Sequence, residues 1–244
     1  EESKRRDKLI KKKMAILKNA CSAQVVWMLD CTGSMGSYIT AAKDGIKSMK
    51  DQIIAAAPSG ASLEFGFVGY RDYDDAIRFE TLDFTPDTST FQTKLSSVVA
   101  TGGGDQCEDV WGGLNEVSKL SWKVDNGARL LFHVADAPTH GSFFADGADF
   151  LDYQKGFDSE GALTTSVLKK LCCDTGIQYV FCEINSSTKA MIKKYNDLLK
   201  SVPGCGRDTQ IATSPLSKAG DIVKIAVDST TASLATSYMT ATMS

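Results

Sequence analysis

What this 244-residue sequence lacks narrows its possibilities first. No apolar run approaches the roughly 18 residues a membrane-spanning helix needs. The N-terminus is charged where a secretory signal would be apolar, so we expect neither a membrane span nor an export signal. The low apolar content and high net charge of disordered chains are also missing. With 43% hydrophobic and 23% charged residues the chain should fold, as one large domain rather than two small ones.

A basic body is missing too. Residues 1–20 hold eight Lys/Arg against three Asp/Glu, a balance of +5, so the formal net charge of -3 leaves the remaining 224 residues at -8. An acidic body argues against nucleic acid as a partner, because neutralising phosphates needs clustered cations. Metal cations suit it better. No disulfide framework is evident either: seven cysteines is an odd number, and neighbours Cys172 and Cys173 cannot easily bridge each other. We read the cysteines as reduced thiols, mostly core filler, and expect a cytoplasmic setting.

The basic leader, residues 1–20, carries Leu9, Ile10, Met14, Ile16 and Leu17 among its lysines and reads as a loosely amphipathic helix. It is either a solvated helix or upstream end, or a surface for membrane or partner. From residue 21 to 244 we expect one domain. Val25 to Leu29 reads as a strand buried on both faces, ending in Asp30-Cys31-Thr32-Gly33-Ser34, and Ile39, Ala42, Ile46, Met49 and Ile53 follow at helical spacing. Leu63–Tyr70 and Ile77–Phe84 read as strands joined by the short polar turn Arg71–Asp75, so the latter should run antiparallel at an edge. Further strands are expected at Arg129–Ala135, Ile177–Ile184 and Asp208–Ala212. Helices are expected at Asp87–Val98, Glu108–Leu120, Ala162–Cys173, Thr188–Lys200 and from Ala219 to about Thr236. This alternation predicts an α/β fold: a doubly wound, mostly parallel six-stranded sheet with one antiparallel edge strand and helices on both faces.

In such sheets ligands bind beyond the carboxyl ends of the strands, where strand order reverses. Two strands here finish in aspartate, Asp30 and Asp136, and the loop after Asp30 adds hydroxyls at every second position, Thr32 and Ser34. In an extended loop these side chains can converge. Oxygen donors without nearby His or Cys suit a hard cation, Mg2+ first, with Mn2+ or Ca2+ as alternatives. The bland reading makes each aspartate a helix cap.

These residues carry a resemblance. Asp30-Cys-Thr32-Gly-Ser34 resembles the Asp-x-Ser/Thr-x-Ser signature of the von Willebrand factor A domain. Gly69-Tyr-Arg-Asp-Tyr-Asp74, Asp83-Phe-Thr85, Thr101-Gly-Gly-Gly-Asp105 with Glu108-Asp109, His133-Val-Ala-Asp136-Ala-Pro-Thr-His-Gly141 and Ile184-Asn-Ser-Ser-Thr188 resemble the subgroup attached to alpha-kinases. The similarity runs from about Cys21 to Leu199. It implies a Rossmann-like fold and a metal-ion-dependent adhesion site, with Asp30, Thr32 and Ser34 as its first segment and Asp136 as its last. The family's middle ligand is a threonine before a helix. Here that position aligns with Glu108, with Asp105 close by and Thr101 upstream, so Glu108 is favoured, then Asp105. The resemblance further implies a protein partner that supplies an Asp or Glu to complete the metal's shell, and a closing helix, Asp221 to Thr236, that shifts on binding.

Two alternatives remain. The segment, with no kinase signature of its own, could be a targeting or assembly module of an alpha-kinase. More remotely, Ser34, Asp136 and His140 follow the chain order of an α/β hydrolase, although Thr32 replaces the first glycine of the nucleophile elbow. Thr101–Asp105 lacks the Lys-Ser/Thr of a phosphate loop, Asp146, Asp149 and Asp152 miss calcium-hand spacing, and the Cys172–Cys173 pair lacks the other thiols of a zinc site. His133, inside a strand, is expected to be a hydrogen-bonded core residue.

Overall fold

The computed structural model describes residues 2–123, 127–144, 158, 160–206 and 208–243. Six strands form one sheet: β1 (Ser22–Asp30), β2 (Ser62–Tyr70), β3 (Phe79–Thr85), β4 (Ala128–Ala135), β5 (Gln178–Glu183) and β6 (Ala212–Pro215). Their order is β3-β2-β1-β4-β5-β6, parallel throughout except for the antiparallel β2–β3 pair at one edge. The eight-residue connection from Arg71 to Arg78 is too short for a crossover, which fixes that hairpin.

Alternation along β1 shows how the sheet divides its core. Val25, Trp27 and Leu29 enter one apolar cluster, with helices α2 (Gly36–Ala56), α3 (Thr88–Ser97) and α7 (Asp221–Met243). Val26 and Met28 enter the other, with α4 (Val110–Val117), α5 (Ala162–Leu168) and α6 (Lys189–Ser201). A strand buried on both faces reads as a continuous apolar run, as here. The leader forms α1 (Glu2–Ala20), which packs on α7 and leaves Leu9, Ile10 and Met14 exposed. Among the described residues, no helix is long and apolar enough to cross a membrane.

β2 leaves β1 on one side and β4 lies on its other side, so the strand order reverses between β1 and β4. Asp30 closes β1 and Asp136 follows β4 at the same end of the sheet. This is the arrangement the two strand-ending aspartates predicted.

Several expectations need correction. α4 starts at Val110 rather than Glu108 and stops at Val117, because Glu108 bridges to Thr139 and its amide donates to the Pro138 carbonyl at 3.0 Å, while Asp109 caps the helix. The last strand lies at Ala212–Pro215, not Asp208–Ala212. It pairs through Ala212 with Val180, and the Ile211 amide is held instead by the Asn196 side chain at 2.7 Å. The helix expected at Ala162–Cys173 is α-helical only to Leu168 and continues as a π-turn from Lys169 to Asp174. β3 begins at Phe79, because the Ile77 carbonyl is occupied by the Arg71 guanidinium. α7 runs on to Met243.

The cysteines were not all free thiols. Cys173 forms a disulfide with Cys205, their Cα atoms 5.0 Å apart, while Cys21, Cys31, Cys107, Cys172 and Cys182 are buried and free. Cys172 packs in the core beneath the sheet, and its neighbour in sequence faces the loop after α6.

Candidate metal centre

β1 delivers Asp30 to the edge of the sheet fully buried. Its Oδ1 accepts from the Thr32 backbone N–H at 2.9 Å and from the Thr32 hydroxyl at 2.6 Å, so the alternate-residue pattern of the loop does fold two oxygens onto one point. Oδ2 is buried and has no hydrogen-bond partner among the described residues. Burial raises the Asp30 carboxyl to about 7; the Thr32 hydrogen bonds oppose this, Asp136 adds to it and Arg71 opposes it.

Glu108 reaches the same place from the loop before α4. It is 3% exposed, and its Oε2 is likewise buried without a hydrogen-bond partner among the described residues. Burial, then the negative charges of Asp30, Asp72 and Asp75, push its carboxyl up to about 10, with the Thr32 side chain pulling the other way. A buried carboxylate in an acidic setting is stable only when protonated or matched by a cation.

Glycine makes this approach possible. Gly102 and Gly103 adopt φ of 85° and 74°. A Cβ on Gly103 would sit 2.9 Å from Glu108 Oε1, and one on Gly102 would collide with the Asp75 carboxylate. The glycine loop is tied to the β1 loop by Gly33 N to Gly102 O at 3.2 Å and Thr101 N to Cys31 O at 3.0 Å, and to the β2 loop by Gly103 N to Asp75 Oδ2 at 2.9 Å.

Asp136 is half-buried. Its carbonyl accepts from Asn185 Nδ2 at 2.8 Å and Ser187 Oγ at 2.6 Å, which fixes the loop after β4 and leaves the carboxylate close enough for its charge to act on Asp30. Asp30, Thr32 and Glu108 are thus brought together with Asp136 beside them. Ser34 lies in the following 3-10 turn, Gly33–Met35, and is exposed. Thr101 is exposed, and its placement comes from its backbone.

Asp105 goes elsewhere. It is exposed, accepts from the Cys107 amide at 3.0 Å, and gathers with Asp72 and His140, whose ligating atoms all lie within 4.8 Å of one another. His140 Nε2 meets Asp72 Oδ1 at 2.7 Å, so the histidine of the hydrolase alternative is paired with Asp72. From the sequence, Asp72 stands in the turn Arg71–Asp75 and in the family-like motif Gly69–Asp74 but receives no ligand role. The signal was the density of acids directly after a buried strand. Arg71, also buried, donates to Ile77 O, Glu80 Oε1 and Val99 O at 2.9, 2.9 and 2.8 Å and so clamps this turn.

His133 is the core residue expected. Both ring nitrogens are satisfied, by Tyr70 Oη at 2.8 Å and Tyr179 Oη at 2.7 Å, and burial lowers it to about 3, so it is neutral. Asp146, Asp149 and Asp152 lie outside the described residues.

A doubly wound sheet with acidic loops gathered at its switch point defines a Rossmann-like α/β domain. Residues 24–146 match the von Willebrand factor A domain, and the chain belongs to that family. The alpha-protein kinase vwkA of Dictyostelium discoideum is 33% identical over 190 residues, which are 77% of this chain and 29% of that protein. The chain therefore spans less than a third of this relative. Among solved structures, BatB, a conserved hypothetical protein of Bacteroides thetaiotaomicron, matches with a TM-score of 0.55 at 13% identity, over 88% of this chain and 100% of that one. The pilus adhesin SpaC of Lactobacillus rhamnosus GG matches with a TM-score of 0.54 at 14% identity, over 87% of this chain and 30% of that one. At such identities these structures speak for the fold alone.

Proposed function

We propose that this domain holds a divalent cation, Mg2+ before Mn2+ or Ca2+, on Asp30, Thr32, Ser34, Glu108 and Asp136, and uses it to bind an acidic side chain of a partner protein. One observation carries the reading: Asp30 Oδ2 and Glu108 Oε2 are both buried and lack hydrogen-bond partners among the described residues. Two orphaned carboxylate oxygens at one place are costly unless something absent from the polypeptide completes them. The donor set, carboxylates and hydroxyls, fits a hard cation.

The residues have separable tasks. Asp30 and Glu108 supply charge, the Thr32 hydroxyl aims Asp30, and the carbonyl bonds from Asn185 and Ser187 hold Asp136 in place. When bound, the cation supplies a Lewis-acidic centre with a coordination position open to an external carboxylate. Because Glu108 stands where the family has a neutral threonine, this site should favour metal more and acidic partners less than the usual version.

Isothermal titration with Mg2+, Mn2+ and Ca2+ on wild type and Asp30→Ala tests the site. The expected result is one equivalent of Mg2+ whose heat disappears with Asp30; heat identical in the variant for every ion would end the proposal. The identity to an alpha-kinase favours a second layer, in which the domain serves as a recruiting or assembly module within a longer kinase polypeptide and catalyses nothing itself. Pull-down with and without chelator separates the two roles: adhesion through the metal is lost with chelator, and assembly by other surfaces is not.

A further inference from the structure

We infer that the same loops hold a second divalent cation, on Asp72, Asp105 and His140. The three donors come from the loops after β2, before α4 and after β4, and each offers an atom within 4.8 Å of the others. Ligands on one ion at about 2.1 Å stand no more than about 4.2 Å apart, so only a small closure is needed. The His140 and Asp72 side chains are 1% and 6% exposed, whereas Asp105 is exposed and marks the open side.

A purely structural ion pair between His140 and Asp72 would account for that contact alone. It does not call for Asp105, whose carboxylate nevertheless comes within 4.8 Å of both ligating atoms. The cation nearest to hand, Arg71, is committed to Glu80 and to two carbonyls. The acids of these loops thus exceed what the chain's own cations there neutralise.

The chemistry of the donors separates the two sites. The Asp30 group is all oxygen and suits Mg2+. One imidazole with two carboxylates suits a borderline ion of the Mn2+ to Zn2+ class, for which nitrogen is a better ligand than it is for Mg2+. The Asp72, Asp105 and His140 site stands without the Asp30 reading.

The test is calorimetric titration of Zn2+ into protein saturated with Mg2+, with the imidazole 15N resonances followed in parallel. The chain has two histidines, and His133 serves as the internal control because both its nitrogens are already held in the core. The expected result is one further equivalent, a shift of the His140 resonances and not of His133, retention of binding in Asp30→Ala, and at least tenfold weaker binding in Asp105→Asn. Asp105 is exposed, so this variant is not expected to unfold the domain. Equal Zn2+ affinity in wild type and Asp105→Asn, or no shift at His140, overturns the second site. Loss of the Mg2+ heat alone leaves it intact and counts only against the Asp30 reading.

Discussion

Glu108 is the residue on which the energetics of the site turn. Its carboxyl is raised to about 10 in the fold, against about 4.3 in an unfolded chain, so between these values the folded state binds more protons. Metal-free protein should therefore lose stability as pH rises from 7 to 9. His133 works in the opposite sense and in another window. Held neutral with its value lowered to about 3, it contributes stability above about 6.5 that is lost as pH falls. Urea midpoints in chelator should thus decline from pH 7 to 9, and saturating Mg2+ should flatten that decline, because coordination needs the carboxylate deprotonated. A midpoint in chelator that rises from pH 7 to 9 would contradict the burial of Glu108. The variant Glu108→Gln should stabilise the metal-free domain by about 1–3 kcal/mol at pH 8, the scale of one unsatisfied buried polar group, and weaken Mg2+ at least tenfold. Denaturant unfolding and calorimetry on the same preparation check both signs. How much of this was legible is instructive. Asp30, Thr32 and Asp136 were readable because strand ends and alternate positions are local patterns. Asp72 with His140 was not, since the two stand 68 positions apart and meet only when β2 and β4 flank β1.

Among the elements, the loop Thr101–Gly104 decides whether the carboxylates can approach. Gly102→Ala places a Cβ against the Asp75 carboxylate at a φ of 85°, and should loosen the tie between the glycine loop and the β2 turn. We expect a loss of about 1–3 kcal/mol in stability and weaker metal binding, read by thermal unfolding and titration together. Unchanged values for both would mean that the loop does not position Glu108. The helices and central strands were legible because their periodicity is strong. The exceptions have identifiable long-range causes. α4 lost its first residues to pairing with the loop after β4, and β6, short and mostly exposed, gave no apolar run from which to place it. The Cys173–Cys205 link joins positions 32 apart, and spacing alone does not reveal such connectivity. By chain entropy it should contribute about 3–4 kcal/mol, so reduction ought to lower the denaturation midpoint without altering Mg2+ affinity, the link lying away from the metal loops.

Across the whole molecule, the order β3-β2-β1-β4-β5-β6 gathers the loops after β1, β2 and β4 at the reversal point and concentrates acidic side chains there, while the basic α1 packs on α7. An acidic body would repel a carboxylate in direct contact, so the proposed recognition through a cation suits its charge. α7, which packs on α1 and α2, is the element free to report engagement; limited proteolysis of Asp221–Met243 should slow or quicken when metal and an acidic peptide are added, and identical digestion would leave the helix without a switching role. The central claim, a cation between Asp30 and Glu108, is tested most directly by anomalous diffraction from crystals soaked in Mn2+. The account predicts a peak at coordination distance, about 2.0–2.3 Å, from oxygens of both carboxylates. Density with no such peak, and with both side chains turned to backbone amides, would contradict it.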